Sequence, residues 1–131
     1  MDYFNYTRRK SSEVHIGNTP MGGNNPIRIQ SMANVSTMDT EAAVSQAIRM
    51  IEAGAEYVRF TAQGEREAHN LGEIRKKLKA DNYNTPLVAD IHFNPRAADV
   101  AATTVEKVRI NPGNYVDKVK TFNLLEYTDE E

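Results

Sequence analysis

Val108-Arg109-Ile110-Asn111-Pro112-Gly113-Asn114 decides the fold, together with a sister stretch, Val88-Ala89-Asp90-Ile91-His92-Phe93-Asn94-Pro95. In each, apolar residues alternate with polar ones, and the run stops at a Pro or Gly turn. Successive side chains of a strand point to opposite faces, so this alternation separates one apolar face from one polar face. A buried strand whose carboxyl end lines a reaction site carries this pattern. Helical segments precede both stretches, which makes the chain α/β.

Upstream, Val14-His15-Ile16-Gly17-Asn18 and Met21-Gly22-Gly23 form a short hairpin pattern that turns at Asn18, Thr19 and Pro20. Ile27 to Met32 alternates strictly and is the first strand. Ser36-Thr37-Met38-Asp39 fits a helix start. Ala43, Val44, Ala47, Ile48 and Ile51 follow at helical spacing, with Gly54 placed as a C′ glycine. Tyr57 to Thr61 is the second strand, and Ala68, Leu71, Ile74 and Leu78 mark an amphipathic second helix. Leu87 to His92 is the third strand. Asn94-Pro95 is a cap followed by a first-turn proline, opening a third helix to about Thr103. Val105 to Ile110 is the fourth strand.

Strand-helix units in sequence imply a parallel sheet with right-handed crossovers, either open and doubly wound or closed into a barrel. Parity separates the two. Ile27, Ile29, Val58, Phe60, Ala89, Ile91, Val108 and Ile110 form an apolar set suited to packing under helices. Arg28, Gln30, Arg59, Thr61, Asp90, His92, Arg109 and Asn111 form a polar set. A doubly wound sheet is covered on both faces and should be apolar on both. A lumen with its site at the C-terminal rim suits the polar set better. A full barrel of this kind takes about 250 residues, whereas the chain has 131. Thr128-Asp129-Glu130-Glu131 is also a capping box with no helix behind it. The expectation is the N-terminal half of a (β/α)8 TIM-type barrel with a short N-terminal hairpin. On this view residues 1–131 open the substrate-binding barrel of a longer enzyme.

Composition sets outer limits. Hydrophobic content of 40% supports one core, and a net charge of −2 gives no global pull toward nucleic acid. Arg8-Arg9-Lys10 is a solvated stretch on this reading. No apolar run is long enough to span a membrane and no signal-peptide pattern is present, so the chain is expected to be cytoplasmic. There is no Cys, hence neither a disulfide nor a thiolate-bound metal centre within it.

Arg59 and Arg109 are the first candidates for chemistry. A guanidinium within a strand is costly unless an anion meets it. A buried pair with Asp90 is one account, and a bidentate clamp for phosphate or diphosphate oxygens is the other. Two arginines at corresponding strand positions favour the clamp. Asp90 and His92 share a parity. They rank first as a polar lining that orients substrate or moves protons, then as a core hydrogen bond, and last as metal ligands. Asn111 and Asn114 bracket Pro112-Gly113 and serve either as turn formers or as phosphate contacts beside Arg109. Gln30, Ser31 and Thr61 are expected at matching heights on the other strands.

These segments together resemble the 4-hydroxy-3-methylbut-2-enyl-diphosphate synthases, iron-sulfur enzymes of the methylerythritol-phosphate route to isoprenoids. The resemblance rests on Val14-His15-Ile16-Gly17, Ile29-Gln30-Ser31-Met32, Glu52 to Arg59, Ala89-Asp90-Ile91-His92-Phe93 and Arg109 to Asn114, in that order. It implies an N-terminal barrel, a C-terminal domain with a [4Fe-4S] cluster, and reductive ring opening of 2-C-methyl-D-erythritol 2,4-cyclodiphosphate. It implies a homodimer and a reducing partner such as flavodoxin or ferredoxin, with no nucleic acid or membrane partner. Carried over, Arg59, Arg109 and Asn111 are diphosphate or substrate contacts, and Asp90, His92 and Asn114 support them. The family's cluster ligands, cysteines with a glutamate, have no counterpart here, so this chain alone is expected to be inactive. The stretch from Asn123 to Tyr127 is longer than in compact members and hints at the three-domain form. Two alternatives stay open: a pteroate-synthase-like barrel transferase, and a stand-alone anion-binding module.

Overall fold

A computed structural model describes residues 4–113 and 115. The elements are a hairpin of β1 (Val14–Ile16) and β2 (Thr19–Met21), then β3 (Gln30–Met32), α1 (Thr40–Glu52), β4 (Tyr57–Ala62), α2 (Glu65–Ala80), β5 (Leu87–Ile91), α3 (Pro95–Thr104) and β6 (Lys107–Arg109). The last four strands form one parallel sheet in chain order, β3-β4-β5-β6. A doubly wound sheet reverses its order at a switch point and carries helices on both faces. Among the described residues the order never reverses. Ala43 and Ala47 of α1, Leu71 and Ile74 of α2, and Ala97 and Ala101 of α3 share a single cluster with Val58, Phe60, Leu87 and Ala89. All three helices therefore cover one face of the sheet, which is the arc of a barrel.

The helices begin and end where their local chemistry dictates. Asp39 accepts the Ala42 N–H at 3.1 Å, and Asn94 accepts those of Arg96 at 3.1 Å and Ala97 at 3.4 Å, with Pro95 in the first turn. At the end of α1, Gly54 takes φ 112° while its N–H donates to Ile51 and that of Ala55 to Met50, each at 3.0 Å. This is a Schellman closure, and a left-handed residue is what it needs. Asn82, at φ 66°, closes α2 in the same way, with Tyr83 N–H on the Leu78 carbonyl at 2.8 Å.

The opposite face has two levels. At its base Tyr57 and Val88 are buried under Ile16, with Met21 beside them, so the hairpin forms a floor. The Tyr57 hydroxyl donates to the Thr19 carbonyl at 2.5 Å, and Arg28 Nε donates to the Pro20 carbonyl at 2.8 Å. Burial raises the Tyr57 pKa above its ordinary value; the Arg28 charge opposes this and the Glu56 charge adds to it. Arg28 is held by Glu56 at 2.9 Å. It is thus a strut of the floor rather than part of a polar rim.

Some expectations need correction. Ordered pairing in the first strand is confined to Gln30–Met32, and Ile27 and Ile29 are 91% and 60% exposed instead of lying under helices. The reason is that α1 packs on β4 and α2, leaving the lower part of this edge uncovered. The fourth strand is likewise only Lys107–Arg109, because Val105 caps α3. The region of the capping box and of Asn123 to Tyr127 lies outside the described residues.

Candidate functional site

The parallel register sets Thr61, Asp90 and Arg109 in one row across β4, β5 and β6. Arg59 stands one pleat below on the same face, and His92 follows just beyond β5. Asp90 is the centre, only 1% exposed. Its Oδ1 accepts from Arg109 Nη1 at 3.1 Å, its Oδ2 accepts from Arg59 Nη2, and His92 Nε2 lies 3.3 Å from Oδ2. Burial by itself would raise the pKa of this carboxyl. The hydrogen bond from Arg59 and the charges of Arg59, His92 and Arg109 together outweigh it, and the net shift is downward. Asp90 therefore stays ionised.

Two guanidiniums meet one buried carboxylate, which leaves the rim formally positive. Arg59 Nε is buried with no hydrogen-bond acceptor, and the Arg109 side chain is still 41% exposed. Buried N–H groups are nearly always paired. An anion with several oxygens would satisfy both arginines by charge-assisted bonds. The pairing with Asp90 is present, and the two arginines still carry one more positive charge than it neutralises. Asp90's oxygens are engaged by guanidinium and imidazole, which favours lining over metal ligation for Asp90 and His92.

Not every candidate joins this cluster. Asn111 is exposed and its Oδ1 accepts the Gly113 N–H at 3.0 Å, the turn-forming use of an Asn side chain. Asn114 lies outside the described residues. Gln30 pairs in register with Tyr57, four residues before Thr61, and Ser31 pairs with Val58 on the helix face, so neither shares the height of Thr61. One contributor went unread. Thr37, assigned from sequence to a helix start, is buried and donates to the Thr61 carbonyl at 2.6 Å, while its own carbonyl accepts from Asn70 at 2.6 Å. It straps the loop between β3 and α1 across the rim.

A parallel arc with helices on one face, a hairpin floor and a cationic C-terminal rim defines a TIM-barrel segment. Residues 11–131 match the family model of the GcpE TIM-barrel domain, and the chain belongs to that family. It is 85% identical over its whole length to a protein of Parabacteroides distasonis, 66% to one of Bacteroides thetaiotaomicron, and 54% over 128 residues to one of Akkermansia muciniphila. Each of these is named 4-hydroxy-3-methylbut-2-en-1-yl diphosphate synthase (flavodoxin). The chain spans 21–22% of their lengths. The family match sets aside the pteroate-synthase-like alternative. Among the described residues no helix is long and apolar enough to cross a membrane.

Proposed function

We propose that this segment is the diphosphate-holding wall of a 4-hydroxy-3-methylbut-2-en-1-yl diphosphate synthase, acting on 2-C-methyl-D-erythritol 2,4-cyclodiphosphate in isoprenoid precursor biosynthesis. The observation that carries it is the pair of guanidiniums, Arg59 and Arg109, gripping one buried carboxylate with positive charge left over. Asp90 fixes the geometry of both arginines before the substrate arrives, which reduces the ordering cost of binding. Opening the cyclic diphosphate frees a phosphoryl oxygen as an anion, and preorganised guanidiniums stabilise charge developing there. His92, Asn111 and Asn114 supply further polar lining in this reading.

The [4Fe-4S] cluster implied by the family resemblance does not fit this chain. It has no Cys, and the described residues hold no group of three His, Asp or Glu side chains placed for a metal. We place the cluster ligands, the rest of the barrel and the encounter with a reducing partner such as flavodoxin elsewhere in the parent enzyme, which acts as a homodimer.

Calorimetric titration of the full-length enzyme with the cyclodiphosphate tests the reading. Losing a charge-assisted hydrogen bond costs about 1.5–3 kcal/mol, so Arg109→Ala should weaken binding roughly ten- to a hundred-fold. Lys76→Ala, exposed on α2, should leave it unchanged. Equal affinities for the two variants would remove Arg109 from the site.

A further inference from the structure

Glu106 stands at the foot of β6, away from the rim, and its carboxylate has two partners. Oε2 accepts the Leu87 N–H at 2.9 Å, and Oε1 lies 3.0 Å from Arg75 Nε of α2. Arg75 is buried, and its Nη1 donates to the Thr85 carbonyl at 2.6 Å. Its Nε makes no hydrogen bond, so the contact with Glu106 is charge pairing off the N–H axis. The turn of the hairpin closes over the same place. A Cβ at Gly17 would stand 3.4 Å from Glu106 Cγ and 3.1 Å from Pro86 Cγ, so the hairpin turn lies against the Glu106 stem.

The β5–β6 ladder begins where Val88 pairs with Lys107. Leu87 N–H is the donor just below, and a side-chain oxygen takes the place of a strand carbonyl there. β6 is only three residues long, so few main-chain bonds define its register. A slip of one residue would turn Arg109 from the rim face to the helix face. Buried ion pairs contribute little stability beyond what an apolar pair would give, and fixing a register is their best-attested use.

We propose that Glu106, anchored to α2 by Arg75, is a positioning residue for substrate binding: it fixes the register of β6 on β5 and so holds Arg109 against Asp90. The proposal rests on the reading of Arg109 as a diphosphate contact. The test uses the full-length enzyme, its cyclodiphosphate affinity, its melting temperature, and a crystal structure of the Glu106→Ala variant. Glu106→Ala should weaken binding about ten-fold or more, approaching Arg109→Ala. Glu106→Gln keeps an oxygen for Leu87 N–H but loses the charge opposite Arg75, so its melting temperature should fall while its affinity stays near wild type. Leu78→Ala, a buried control on α2, should lower the melting temperature and leave affinity alone. If Glu106→Ala behaves as Leu78→Ala does, and its crystal structure keeps Arg109 paired with Asp90, the proposal is overturned. Should Glu106→Ala not fold, Glu106→Asp, one methylene short of Leu87 N–H, is judged by the same outcomes. If Arg109→Ala itself binds like wild type, the diphosphate reading fails, and the register in the variant crystal then decides alone. A lost Asp90–Arg109 pairing supports the role of Glu106, and a kept one overturns it.

Discussion

Asp90 carries more of the rim than either arginine, because both depend on it. Replacing it with Asn leaves Arg59 and Arg109 side by side with no counter-charge. Removing one partner of a buried pair costs about 3–5 kcal/mol, and Asp90→Asn should lower the stability of the barrel transition in the parent enzyme by that order in urea unfolding. The pH dependence has a definite sign. An unfolded Asp titrates near ~3.9, and the folded value is lower, so the folded state binds the proton more weakly. The stabilisation from Asp90 is thus complete above about pH 4 and lost as pH falls through the folded value. The stability gap between wild type and Asp90→Asn should therefore narrow below about pH 4; a gap that stays constant down to pH 3 contradicts this account. Alternation alone located Arg59, Asp90, His92 and Arg109, since parity is a local property of a strand. It could not find Glu106 or Thr37, whose roles depend on which backbone groups a neighbouring element leaves unpaired.

At the scale of elements, the helices were the most legible part. Periodicity gave their faces, and Asn94, Pro95 and Gly54 gave their ends, because caps are read from a few adjacent residues. The strands at the two sides of the sheet were overestimated. Ile27 and Ile29 alternate as a buried strand does, but alternation does not reveal whether a helix will cover them. Gly54 offers a clean element-scale prediction. No atom lies within 4 Å of a Cβ built there, and φ is 112°, so Gly54→Ala meets only backbone strain. It should cost about 1–2 kcal/mol, read as a lower melting temperature of the barrel. A neutral effect would mean that α1 ends differently. Asn94→Ala should cost about 1 kcal/mol through the lost cap. It should also disturb the rim, because Phe93, at φ 54°, is held in the left-handed region between His92 and this cap.

At the scale of the whole molecule, the sheet is an arc whose two sides are open among the described residues. Among the described residues β3 pairs only with β4, and β6 only with β5. Unpaired parallel edges invite another chain, and the bare Ile27 and Ile29 beside β3 add apolar surface to that invitation. The polar face supplies no such drive. Arg28 is answered by Glu56, while Arg59 and Arg109 share Asp90 and keep one positive charge to spare, which a second copy with the same rim cannot neutralise. Two copies related by a two-fold axis could pair β6 with β3 twice and close eight strands into a ring, but their cationic rims would then face each other. The 131-residue chain should consequently self-associate in light scattering, and more strongly as salt screens the rim charges within a Debye length of about 8–10 Å. Ile27→Lys with Ile29→Lys should reduce the association, because charge on an edge opposes pairing. A mass of 14.7 kDa at every concentration and salt level, with a cooperative melt, would show that the edges protect themselves.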